Sequence, residues 1–297
     1  MKPKPKPRPK RPASASSAPS APSAPSAPSA PSAHEPDTRP RQPPIDRSGA
    51  PFIRARGLRK HFDEQLVLDG IDLDVWPGEV MVLLGRSGEG KSVFLKHLLG
   101  LFWPDEGRIE IDGIDVTGLN ERQMAVHRRK LGILFQDGAL FDSMTVAENV
   151  AFPLREGGVS NRSEIDRRVR EALEVVELAE HMDKMPVNLS GGMRKRVALA
   201  RAIVPEPACV LYDEPTSGLD PVVADVINHL IRRLQRRFGL TSVVVTHDME
   251  SVWHVADRVA YLRSGQVYFQ GTPDQLRHHP DPVIQDFIHG RSGMADD

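Results

Sequence analysis

Short runs dense in Val, Ile and Leu alternate with longer stretches whose apolar residues recur every three or four positions. Phe52 to Leu58 and Leu66 to Val75 read as strands, and Pro77-Gly78 turns the chain into a third, Glu79 to Leu84 (EVMVLL). Ser92 to Leu99 has helical spacing, and Arg108 to Ile111 followed by Asp112-Gly113 is a hairpin signal. Glu121 to Arg129 turns polar and basic; Leu131 to Gln136 (LGILFQ) is again of buried-strand type. Thr145 to Val150 and Ser163 to Leu178 predict helices, the second with Ile165, Val169, Leu173 and Val176 on one face, and residues 155–162 form the loop between them. Met193 to Ile203 predicts a helix, Ala208 to Tyr212 a strand, Pro221 to Phe238 a long helix, and Ser242 to Thr246 a β-branched strand. Strands alternating with helices specify an α/β domain on a mostly parallel sheet.

Residues 1–50 break this pattern. Pro alternates with Lys/Arg up to Pro12, and Ala-Pro-Ser triplets follow from Ala18 to Ser32. Such a stretch has too little apolar surface to offset ordering entropy, so it is expected to be a disordered, basic tail. It holds nine Lys/Arg against three Asp/Glu, which leaves the rest of the chain at net −7 within a total of −1. A negatively charged body argues against nucleic acid as a partner. The single cysteine, Cys209, excludes an intrachain disulfide, and no apolar run reaches the ~18–20 residues that span a bilayer. The ordered domain is expected over 51–290, with 291–297 flexible.

The candidate chemistry starts at Gly85 to Ser92, GRSGEGKS, which fits G-x-x-x-x-G-K-[ST]. A glycine-rich turn can match by accident, but a strand before and a helix after are what a phosphate loop requires. Gly85, Gly88 and Gly90 let the backbone turn its N–H groups inward, from Arg86, Ser87 and Glu89 to Val93. Lys91 brings a positive charge to the β- and γ-phosphates of a nucleoside triphosphate, and Ser92 a hydroxyl to Mg²⁺. A later strand ends in Asp213-Glu214: Asp213 is suited to hold Mg²⁺ through water, and Glu214 to take a proton from an attacking water. A further strand ends in Thr246-His247-Asp248, placing an imidazole at the same sheet edge.

These residues resemble the ATP-binding subunits of ABC transporters. LSGGM at Leu189 to Met193 resembles the family's signature motif, Gln136 its Q-loop, Ser217 to Asp220 (SGLD) its D-loop, and His247 its switch histidine, all in family order over roughly 52–290. The resemblance implies a P-loop NTPase fold: a RecA-like core, an antiparallel β subdomain, and a helical signature subdomain at about 137–200. It implies ATP and Mg²⁺ as cofactors, with Gln136 beside Ser92 and Asp213 at the metal and Phe62 stacked on adenine. It also implies a homodimer, in which Ser190, Gly191, Gly192 and Asp220 of one copy close on the nucleotide of the other.

The segment after Gln136 points to a subtype. Phe141-Asp142-Ser143-Met144-Thr145 stands where many importers carry a proline, and GGM where GGQ is common. In both the chain is similar to the phospholipid-trafficking, Mla-type ATPases. That implies a peripheral motor on the cytoplasmic face of the inner membrane, joined to integral-membrane permease subunits, a lipid-binding protein and a small cytoplasmic accessory subunit. A small-solute importer, of an amino acid for example, is the alternative, and a soluble non-transport ABC ATPase a more distant one. The face around Phe141, Met144 and Val146 is expected to dock the permease. The C-terminal extension that clasps the second ATPase in some relatives is shorter here.

Overall fold

The computed structural model describes residue 45 and residues 47–291; most of the expected tail lies outside them. The described chain opens with antiparallel strands β1 (Ile53–Phe62) and β2 (Gln65–Val75). β3 (Val80–Leu84) then runs into the phosphate loop and α1 (Lys91–Leu98). A second hairpin, β4 (Glu106–Ile111) and β5 (Ile114–Asp115), joins the first pair in one sheet of order β2-β1-β4-β5. α2 (Glu121–Arg128) and β6 (Leu131–Leu134) lead to the helical region, α3 (Val146–Glu156), α4 (Arg162–Val175) and α5 (Gly191–Ile203). β7 (Cys209–Asp213), α6 (Pro221–Phe238), β8 (Thr241–Thr246), α7 (Met249–Val255), β9 (Arg258–Arg263), β10 (Gln266–Gly271), α8 (Pro273–Arg277) and α9 (Pro282–Ile288) complete the domain.

The second sheet has the order β10-β9-β3-β8-β7-β6, parallel except for β10. Its inner strands β3, β8 and β7 are buried along nearly their whole length because both faces are covered. In β3, Val80, Val82 and Leu84 enter the core shared with the helical region, while Met81 and Leu83 enter the core shared with the antiparallel sheet. This period-two division is the pleat of a strand packed on both sides. Register aligns Leu84 with Thr246, and Val245 with Asp213. The carboxyl ends of β3, β8 and β7 therefore share one edge, the place where open parallel sheets bind ligands.

Several boundaries differ from the pattern-based expectation. Arg155 and Glu156, expected in a loop, belong to α3, which continues through Pro153. A Thr145–Glu148 capping box starts this helix, and buried Val146, Val150 and Leu154 recur every four residues to hold it on the core. The polar stretch at Glu121 forms α2 because Asn120 and Gln123 make a reciprocal cap; Met124 is its one buried residue. Arg47, inside the segment read as tail, lies 5.3 Å over the Trp76 ring and 3.6 Å from Glu79.

Candidate active site

The phosphate loop is shaped from behind by the antiparallel sheet. Gly90 has φ +89°, and a Cβ there would stand 2.6 Å from Leu68 Cδ2 and 2.9 Å from the Val67 carbonyl oxygen. Only glycine fits that combination of handedness and contact. Glu89 turns away from the loop mouth, its carboxylate accepting the backbone N–H of Ser264 in the β9–β10 turn. Arg86, Ser87 and Gly88 are exposed at the mouth, and Val93 lies in the first turn of α1. Lys91 curls back under the loop, donating to the carbonyls of Gly85 (2.7 Å) and Arg86 (2.9 Å). Its ammonium lies 3.9 Å from Glu214. Burial pulls its pKa down, against the fields of Glu214, Asp213 and Glu89.

Two pairs stand at the carboxyl edge. The Ser92 hydroxyl donates to Asp213 Oδ1 at 2.8 Å. His247 Nδ1 is 3.0 Å from the Glu214 carboxylate. Glu214 is held in the left-handed region at φ 48°, with its N–H on the Val245 carbonyl. Glu214 and His247 open onto a cleft of ≈ 760 Å³ that also takes in Ser217, Gly218 and Leu219. The Ser92–Asp213 donor set is hard oxygen at the mouth of a phosphate loop. It fits Mg²⁺, whose shell phosphate oxygens and water would complete. No cluster of three His, Cys, Asp or Glu suited to a metal occurs among the described residues, so the protein alone offers no cage.

Other expected residues fall elsewhere. Gln136 is exposed in the turn after β6; its carbonyl accepts from Lys195, and no side-chain bond joins it to Ser92 or Asp213 among the described residues. Ser190 caps α5, its hydroxyl accepting from the Met193 N–H at 3.3 Å. Asp220 caps α6 through the N–H groups of Val222 and Val223. A Cβ at Gly192 would run into Val223, and one at Gly191 would touch Leu219 at 3.4 Å, so the signature loop packs on the D-loop of its own copy. Phe62 is partly exposed on β1, with Phe102 edge-on at 5.1 Å and Lys60 5.6 Å from its ring. Lys60 in turn holds the Asp105 carboxyl down to about 2, aided by the His61 N–H.

The expected docking face is corrected at one position. Val146 is fully buried in the subdomain core, because it is the first core-facing residue of α3. Phe141 is 41 % exposed, its ring tilted 53° against that of Phe152 at a centroid distance of 4.8 Å. Asn149 holds the surrounding loop, accepting the Phe141 N–H and donating to the Phe141, Met144 and Thr145 carbonyls. Sequence reasoning missed Lys195, which is 5 % exposed. Its signal was its spacing on the apolar stripe of α5, three residues after Gly192 and four before Leu199.

The profile of the ABC transporter family matches residues 68–217. The chain is 42 % identical over 239 residues to the probable ribonucleotide transport ATP-binding protein mkl of Mycobacterium leprae, covering 80 % of this chain and 69 % of that one. It is 42 % identical over 232 residues to the methionine import ATP-binding protein MetN of Rhizobium johnstonii, covering 78 % and 64 %. Among solved structures, it is similar to the dimeric post-hydrolysis state of the ATP-binding cassette MJ0796 bound to ADP and Pi. That likeness has a TM-score of 0.69 at 33 % identity and covers 74 % of this chain and 98 % of that one.

Proposed function

The chain belongs to the ABC transporter family of ATP-binding subunits, and from that premise we propose that the transporter it powers moves phospholipid between membranes. It is the ATPase subunit of such a transporter; cassettes of this family act as dimers beside membrane permeases. Among the described residues no helix is long and apolar enough to cross a membrane, which suits attachment through a permease at the cytoplasmic face of the inner membrane. A lipid-binding protein and a small accessory subunit complete the proposed assembly.

In this reading the backbone N–H groups from Arg86 to Val93 and the Lys91 ammonium bind the phosphates of ATP. Phe62 offers its ring face to adenine. Mg²⁺ supplies neutralisation of phosphate charge when bound, with Ser92, Asp213 and Gln136 as its protein side. Glu214 takes the proton of the attacking water, and His247 holds that carboxylate in place. Ser190, Gly191 and Gly192, with Asp220, close on the nucleotide of the second copy.

The observation that carries phospholipid as cargo is the segment Phe141-Asp142-Ser143-Met144-Thr145, together with the GGM signature, where the chain is similar to Mla-type ATPases. A second reading, import of a small polar solute, has the names of the methionine and ribonucleotide transport relatives in its favour. The test is transport by the chain with its permease in proteoliposomes. ATP-dependent transfer of labelled phospholipid is expected; ATP-dependent uptake of methionine or a ribonucleotide, without lipid transfer, would overturn the assignment.

A further inference from the structure

Lys195 is buried on α5, and none of the roles above uses it. Its ammonium donates to the carbonyl oxygen of Gln136 and, at 3.2 Å, to that of Glu214. No carboxylate pairs with it directly among the described residues; those of Asp137, Glu214 and Asp213 act on it through space. Lysine is rarely buried without an acidic partner, because the ammonium gives up strong hydration. Here two backbone carbonyls replace that hydration.

Both carbonyls belong to the site. Gln136 follows β6 and Glu214 follows β7, neighbouring strands whose ends Lys195 bridges from the signature helix. Glu214 sits at φ 48°, a conformation a non-glycine residue keeps only when its surroundings over-determine it. Its N–H is held by Val245 from within the sheet, and its carbonyl by Lys195 from the helical side. Arg201, further along α5, adds 2.7 Å bonds to the carbonyls of Gly138 and Ala139, so the whole turn after Gln136 hangs from one helix.

We propose that Lys195 is a positioning residue for hydrolysis. It locks the backbones of Gln136 and Glu214 at a common spacing and ties any movement of the signature helix to the placement of the base. The inference rests on Glu214 and Gln136 serving the hydrolytic site.

The test uses the full chain purified with its permease. Lys195→Met keeps length and burial but has no donor; Lys195→Gln has a shorter side chain that reaches one carbonyl at most. Lys195→Met is expected to lower kcat by ~10–100-fold, the cost of a misplaced catalytic group, with KM for ATP within about twofold. Backbone hydrogen exchange over residues 136–140 should rise with it, and Lys195→Gln should fall between the two. In a Glu214→Gln background, Lys195→Met should lower the residual rate no further. A lysine that serves only the fold would lower the melting temperature while leaving kcat per folded molecule unchanged, and one that acts apart from Glu214 would add its full loss to that of Glu214→Gln. Either result overturns the proposal. If Lys195→Met does not fold, a Lys195→Gln variant with wild-type kcat and unchanged exchange overturns it equally. A wild-type rate for Glu214→Gln alone would sink the base assignment instead, leaving exchange at 136–140 to decide the part played by Lys195.

Discussion

Ser92 and Asp213 are 121 residues apart in the chain and meet in a 2.8 Å hydrogen bond. The contact sets the first turn of α1 against the end of β7, and it exists because β3 and β7 flank β8 in the same sheet. Replacing Asp213 with Asn keeps the shape and removes the charge. The Mg²⁺ concentration for half-maximal hydrolysis should then rise ~10–100-fold, as when a metal's outer partners are lost. Titrating Mg²⁺ at saturating ATP checks this, and an unchanged midpoint would remove Asp213 from the metal site.

Glu214→Gln preserves the left-handed turn and the bond to Val245 while removing the proton acceptor. Hydrolysis should slow by ~10²–10⁴-fold. ATP binding should survive, since Lys91 and Ser92 are untouched, and the variant should accumulate as an ATP-bound dimer. Light scattering with Mg²⁺-ATP measures the dimer. An inactive variant that stays monomeric even beside its permease would count against a site composed from two copies.

Phe141→Asp places a charge on the exposed ring position while Asn149 still holds the loop. Co-purification with the permease should fail, with the basal hydrolysis rate within about twofold, because an exposed site away from the chemistry perturbs the fold little. Loss of folding would instead assign Phe141 to the packing of Phe152.

Glu79 provides a pH signature remote from the nucleotide. It is fully buried, accepts the Trp76 N–H at 2.9 Å and faces Arg258 at 3.3 Å. Burial raises its pKa above the ordinary 4.5, opposed by the Trp76 N–H, Arg258 and Arg47. The folded protein therefore keeps this proton to higher pH than the unfolded chain does. The stability it contributes is full below 4.5 and is lost as pH rises through the folded value. Melting curves of wild type and Glu79→Gln should diverge in favour of Gln from about pH 4 upward. A gap that does not change with pH would contradict this.

The parts that were legible in the chain are those with dense local signals. β3, α1, β7, α6 and β8 follow from apolar runs, helical spacing and the glycines of the phosphate loop, and the pairing of Lys91, Ser92, Asp213, Glu214 and His247 follows from strand ends on one edge. Contacts set by distant packing were not legible. Lys195 stands in the basic run Arg194-Lys195-Arg196, whose charges mask its place on the apolar stripe of α5. Val146 carries the same apolar side chain whether it faces a permease or the core; the start of α3 decides. α2 was hidden because one buried methionine makes no periodic stripe.

β9 and β10 had no place in the pattern-based outline, yet β9 pairs with Met81 to Leu84 along the strand that feeds the phosphate loop. A chain ending after Asp248 would leave β3 as the rim of its sheet. Five consecutive buried residues, VMVLL, would then present an open row of N–H and C=O groups. An apolar edge of that kind recruits strands from other molecules. Shortened products of proteolysis or premature termination would keep every catalytic residue and still be lost, to aggregation rather than to any defect in ATP chemistry.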